Sequence, residues 1–175
     1  LLQIALLSQF TIQGVGMTTQ TLIGNFKSKG AIEQLLPVLL VSVLTTLPIA
    51  LGFAGTTILF PDQVFGILTN HTEVSDHVSS YVLWLLPLLE ITAVAFMLEG
   101  YFIGLKEGKT LRNAVVMAFG IGFIPLATAG WYWHSNHLLW LSLVAYVTLI
   151  TLNLGWQLPR TLGQPAASTL SGQET

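Results

Sequence analysis

One long apolar stretch, residues 78–105, constrains this chain more than any other part of its sequence, because it contains two acidic residues. As an α-helix rising about 1.5 Å per residue, the stretch would measure roughly 40 Å, which is enough to cross a bilayer with some tilt. An ionised carboxylate near the middle of a bilayer costs at least about 2.5 kcal/mol. Glu90 and Glu99 therefore require an explanation, and both are candidates for binding a proton or a cation.

The composition indicates a membrane protein. Of the 175 residues, 53% are hydrophobic and only 8% are charged, whereas about a quarter of the residues in a soluble domain are charged. The net charge of −2 gives no reason to expect a nucleic-acid partner. The sequence has no cysteine and shows no grouping of nucleophile, base and metal ligands, so we expect no enzyme activity, metal or cofactor.

The apolar runs predict an all-α, polytopic bundle of five transmembrane spans. The predicted spans cover residues 1–26, 35–60, 78–105, 114–133 and 138–156. Proline and glycine interrupt two of them, which predicts a kink at Pro48 and breaks at Gly120, Gly122, Pro125 and Gly130. The last residues, 157–175, are rich in Gly, Pro, Ser and Thr and are predicted to form a disordered tail.

The basic residues predict how the bundle is oriented. They occur only after the first, third and fifth predicted spans, at Lys27, Lys29, Lys106, Lys109, Arg112 and Arg160. The positive-inside rule places those connectors and the C-terminus in the cytoplasm, with the chain in the plasma (inner) membrane. Five spans that start outside fit best as the end of a longer polytopic protein.

The first span is unusually polar. On a helix that turns 100° per residue, Gln9, Gln13 and Gln20 fall within about 40° of one another, with Gly16 beside them. Such a stripe can form a seam between helices, because small residues allow close backbones and amides bond across helices. The same stripe can also line a cavity, so both uses remain open.

Three segments resemble the C-terminal half of multidrug and toxic compound extrusion (MATE) transporters, most closely the DinF-like branch. They are TIQGVGMTTQTLIGNFKSKGA from Thr11, FGILTNHTEVSDHVSSYVLWLLPL from Phe65 and FMLEGYFIGLKEGKTLRNA from Phe96. The resemblance implies the C-terminal lobe of a twelve-helix transporter, whose partner would be a missing N-terminal half. It also implies export of organic, often cationic or amphipathic, compounds by proton- or sodium-coupled antiport.

The resemblance also bears on individual residues. Glu99 retains the acid that the family commonly has before Gly100, whereas Gln13 and Gln20 stand where DinF-type relatives typically have acids. A cation-site acid of the NorM-like branch would align near Thr92, two positions from Glu90. Two other functions remain open: a lipid-linked precursor flippase of the same superfamily, and a membrane subunit that does not transport.

The two acids are expected to differ in importance. Nine residues at 100° each place Glu90 and Glu99 on opposite faces of an unbroken helix. Glu90 is expected near the middle of the span, one turn after Pro87, which would loosen the helix beside it. Glu99 is expected to reach toward the cytoplasmic edge. We therefore expect Glu90 to matter more for transport.

Overall fold

The apolar runs form helices in a computed structural model that describes residues 2–60 and 83–162. A short 3-10 turn, Ile32–Gln34, precedes the second helix, and a π-helical segment, Ala118–Phe123, joins the fourth helix to the fifth. No strand occurs within these ranges, so the predicted all-α fold is confirmed. The helices are α1 (Leu2–Ser28), α2 (Leu35–Leu59), α3 (Leu85–Gly104), α4 (Gly108–Met117), α5 (Ile124–Tyr132) and α6 (Asn136–Leu162).

Four segments of the described chain are long and apolar enough to cross a membrane, which supports the predicted transmembrane bundle. Helix α1 has 27 residues but is not one of them, since its glutamines and threonines lower its hydropathy. The four segments are Ile32–Leu59, Leu85–Gly104, Gly108–Tyr132 and Asn136–Leu162. The second to fifth predicted spans therefore each have a counterpart among these segments. The position of α1 in the bundle depends instead on its packing against other helices.

Helices α3 and α6 run parallel to each other. At one end, Trp84 Nε1 donates a hydrogen bond to His137 Nδ1 over 3.2 Å. At the other end, the hydroxyls of Tyr101 and Thr161 are 2.9 Å apart and share a hydrogen bond. Two segments that start and finish together must be separated by one that returns, and α4, the π-helical segment and α5 form that return.

Helix α1 packs directly against the backbone of α3. A methyl group added at Gly100 would lie 2.6 Å from the carbonyl oxygen of Gly16, and one added at Gly104 would lie 2.7 Å from that of Gln20. Only glycine allows backbones to approach so closely, as in the small-residue contacts typical of membrane helices. The contact moves four residues forward on both helices, from Gly16 to Gln20 on α1 and from Gly100 to Gly104 on α3, so the two helices are parallel.

All the basic residues consequently lie toward one end of the bundle. Lys27 of α1 reaches the C-terminal end of α3, where its Nζ donates to the carbonyl oxygen of Leu105 over 2.6 Å. A cation is favourable there because the last carbonyls of a helix carry partial negative charge. The other basic residues of the chain follow the same helix ends: Lys29, Lys106, Lys109, Arg112 and Arg160.

Several boundaries differ from the predicted ones. The third helix begins at Leu85 in the described chain, and residues 78–82 of the predicted span lie outside the described residues. The fourth span begins at Gly108 instead of residue 114. Residues 157–162 of the predicted tail belong to α6, because Leu158 and Leu162 pack against the core and Thr161 bonds Tyr101. The remaining tail, 163–175, is outside the described residues.

The glycine contact between α1 and α3 can be tested with alanine. We expect Gly100→Ala to destabilise the protein by about 2 kcal/mol, because the added methyl overlaps the Gly16 carbonyl and forces the helices apart. Gly14→Ala is the matched control in the same pair of helices, since a methyl there has no atom within 4 Å. Thermal unfolding of the purified variants in detergent measures both, and equal melting temperatures would contradict the proposed close contact.

The shared location of the basic residues leads to a second test. We expect single cysteines at Lys29 and Lys109 to react with an impermeant thiol reagent only from the cytoplasmic side, and a cysteine at Asn136 only from outside. The natural chain contains no cysteine, so no background removal is needed within it. Labelling of Lys29 and Asn136 positions from the same side would rule out the five-span arrangement.

Candidate ion and substrate site

The two acids of α3 lie equally far from opposite ends of the helix. Glu90 is five residues after Leu85, and Glu99 is five residues before Gly104. The helix ends therefore give neither acid the more central position, and the expectation that Glu90 lies deeper in the membrane stays a prediction. It assumed a helix that starts at residue 78, whereas residues 83 and 84 form a turn before α3 begins.

Pro87 does not loosen the helix beside Glu90. It is the third residue of α3, where an N–H group would have no partner within the helix in any case. The helix is α-helical from Leu85 to Gly104, so the nine residues between the acids place them on opposite faces, as predicted. One cavity beside α3 therefore cannot use both carboxylates directly.

Glu90 is half-buried as a residue, but one of its carboxylate oxygens is buried and has no hydrogen-bond partner among the described residues. Its Oε1 and the hydroxyl of Thr92 are the two buried side-chain polar atoms in the described chain for which this is true. Thr92 is only 5% exposed. Two residues at 100° each separate these side chains by about 160°, so they form two separate polar positions instead of one site. A buried polar group left unpaired costs free energy, which makes Glu90 Oε1 a position that a proton or cation would stabilise.

Glu99 is half-buried, and Tyr146 of α6 lies in its neighbourhood. Tyr146 in turn contacts Phe119 and Phe123 edge to face, with ring centroids 6.4 and 6.3 Å apart. The two phenylalanine rings stack on each other at 5.3 Å. We call these three rings the aromatic cluster. A carboxylate near aromatic faces is a chemical environment that attracts organic cations.

The aromatic cluster surrounds the irregular part of the fourth span. Phe119 and Phe123 both belong to the π-helical segment, which confirms a break at Gly120 and Gly122, whereas Pro125 and Gly130 lie in the regular helix α5. Gly122 lets this segment approach α6, because a methyl there would lie 2.6 Å from Leu149 Cδ1. π-Helical turns occur frequently at functional sites. The cluster was not predicted from the sequence, although the spacing of four between the phenylalanines places them on one helix face.

The glutamine stripe of α1 lies beside the helix seam and does not form it. Gln13 is exposed, whereas Gln9 and Gln20 are half-buried. The side of α1 that packs inside the bundle consists of small and apolar residues: Ser8, Ile12, Gly16, Thr19 and Ile23. On the helix, the centre of this packed side is about 80° away from the centre of the glutamine stripe, so the predicted seam lies beside the glutamines.

A buried polar joint holds the first three helices together. Thr19 Oγ1 of α1 donates to Ser42 Oγ of α2 over 2.7 Å, and it lies 3.6 Å from Met97 Sδ of α3. Ser42 also donates to the carbonyl oxygen of Val38, so the joint is fully hydrogen-bonded. It fixes the helix positions around α3 and leaves the candidate acids outside it. Within residues 2–60 and 83–162, no three His, Cys, Asp or Glu side chains come together as a metal site.

The sequence of this chain is similar to a family model and to one curated protein. The MatE family model matches residues 1–128. The DNA damage-inducible protein F of Escherichia coli (strain K12) is 28% identical over 106 residues, which are 61% of this chain and 23% of that protein. The matched chain thus spans less than a quarter of the length of this curated relative. No solved structure matches.

Proposed function

The chain belongs to the MatE family, and on that premise we propose that it is part of the C-terminal lobe of a secondary active efflux transporter. The exported compounds are organic and often cationic or amphipathic, and export is driven by exchange for protons or sodium ions. The resemblance to a DinF-type protein supports this assignment. The lobe lies in the plasma (inner) membrane with its basic end, and thus its C-terminus, in the cytoplasm.

The observation that carries the proposal is the unpaired oxygen of Glu90 on the central helix. Coupled transport requires a group whose proton or ion binding differs between the two access states, because a ligand that binds both states equally shifts neither. Glu90 Oε1 is buried without a partner in this arrangement. Rearrangement of the helices around it would change the free energy of its charge and thereby link ion binding to the access state.

Glu99 and the aromatic cluster provide a second contact for a cationic compound. Glu99 carries the charge, and Phe119 exposes 48% of its surface at the rim of the cluster. Aromatic faces attract organic cations by about 0.5–2 kcal/mol each, depending on hydration. We therefore assign Glu99 to the substrate side and Glu90 to coupling, with Thr92, Gln9, Gln13 and Gln20 as candidate cavity residues.

The partner that we propose for the exposed surface of this bundle is an N-terminal half. Pro48 has no N–H to pair with the Leu44 carbonyl, and both residues are exposed, Leu44 by 67%. Membrane proteins tolerate such unpaired backbone against other protein or a water-filled cavity, and not against lipid. The exposed amide of Gln13 on α1 is also unfavourable against lipid, although less so than an unpaired backbone carbonyl.

We expect residues 1–175 to be unable to transport without that half. Vesicles containing only this chain should show no efflux of a fluorescent organic cation when a proton or sodium gradient is applied. The control is the complete protein in vesicles of the same lipid. Efflux from the chain alone, at a rate comparable with the control, would show that the bundle is sufficient and would overturn the proposed partner.

The two acids can be separated by substitution in the complete protein. We expect Glu90→Gln to abolish gradient-driven efflux while substrate still binds, because glutamine keeps the shape but cannot change its charge. Glu99→Gln should retain more efflux and instead weaken binding of a cationic substrate by about tenfold, the equivalent of about 1.4 kcal/mol. Glu33→Gln, in the exposed connector before α2, is the control that should leave both properties unchanged.

Binding of substrate is followed by fluorescence and coupling by intravesicular pH or sodium. If Glu90→Gln retains full gradient-driven efflux while Glu99→Gln loses it, the assignment is reversed and the acid before Gly100 is the coupling residue.

A further inference from the structure

A groove of about 510 Å³ runs between α4 and α6, toward the end of the bundle that carries the basic residues. Neither Glu90 nor Glu99 lines it, so it is separate from the candidate ion and substrate site. Its two ends differ in chemistry. One end is polar and basic, and the other is apolar.

The polar end is formed by Asn113, Gln157 and Arg160. Arg160 is exposed in the last turn of α6 and forms no ion pair with another described residue. Gln157 is held in place because its Nε2 donates to Asn153 Oδ1 over 2.6 Å. An unpaired guanidinium beside the Asn113 amide is well suited to bind phosphate oxygens, since its planar fork can form two parallel hydrogen bonds.

The apolar end is formed by Met117, Leu149 and Leu152. Met117 is 51% exposed and Leu152 is 62% exposed, so the groove offers an uncovered apolar surface. Leu149 and Arg160 are eleven residues apart on one helix, which corresponds to roughly 16 Å along its axis. The groove therefore changes from basic to apolar along α6. A membrane leaflet changes from headgroups to acyl chains in the same direction and over a similar distance.

We propose that this groove binds an anionic phospholipid of the leaflet at the basic end of the bundle. The lipid phosphate contacts Arg160 and the side-chain amide of Asn113, and one acyl chain follows Met117 and Leu152. Trp156, 81% exposed on the same wall, lies at the level where interfacial tryptophans contact headgroups. The charge of Arg160 at the polar end favours an anionic lipid over a zwitterionic one.

The test uses a photoreactive phenylalanine derivative in place of Leu152 in the complete protein. The protein is placed in nanodiscs of phosphatidylcholine with or without phosphatidylglycerol, and crosslinked products are identified by mass spectrometry. We expect a phosphatidylglycerol adduct at this position that exceeds the phosphatidylcholine adduct after correction for lipid content. Adding Arg160→Gln should reduce the phosphatidylglycerol adduct by about tenfold, because a charge-assisted contact to phosphate is lost.

Arg112→Gln is the matched control. It removes the same charge from the same end of the bundle but from a residue that does not line the groove, so the adduct should fall far less. Three results would overturn the proposal: equal losses in the two variants, equal labelling of both lipids, or crosslinks to a peptide of the N-terminal half, which would mean that protein fills the groove. The readout needs neither substrate nor gradient, so it is independent of the proposed transport.

Discussion

The close contact between Gly16 and Gly100 determines much of the remaining structure. It brings the backbones of α1 and α3 together and so fixes the rotation of α3 about its own axis. With Gly100 directed toward α1, the neighbouring Glu99 is turned about 100° to one side and Glu90 about 80° to the other. The glycine in the LEGYFIG segment therefore positions the acid that precedes it, and a single packing contact sets the surroundings of both carboxylates.

Much of the fold could be predicted from the sequence because apolar runs and basic connectors act locally. The helices, their alternating directions and the irregular fourth span all follow from that pattern. The ends of the helices could not be predicted in the same way. Residues 157–162 have a composition typical of a tail, yet they remain helical because Thr161 bonds Tyr101, sixty residues away. Local composition contains no information about such a contact.

The candidate site was also predictable only in part, where local sequence decides the outcome. Glu90 and Glu99 stand out in the sequence because a charge in an apolar helix is costly. Their positions relative to the helix ends could not be predicted, because those positions depend on where α3 begins. The aromatic cluster of Phe119, Phe123 and Tyr146 was missed since aromatic residues in an apolar run look like ordinary core residues. Only the packing of the π-helical segment against α6 brings the three rings together.

The packing also indicates where this lobe of a MATE-type transporter can change shape. Helices α1, α2 and α3 are joined by backbone contact and by the hydrogen bond between Thr19 and Ser42, so they are expected to move as one unit. The fourth span differs, because its π-helical segment has wider turns than the α-helices on either side of it and Pro125 lacks the donor that would continue the regular pattern. A small change there would shift Phe119 and Phe123 relative to Tyr146 without breaking the joint around α3. Under the proposed function, substrate contacts at the aromatic cluster could then change while the Glu90 position stays attached to the rigid unit, and ion binding would have to act through the movement of that unit as a whole.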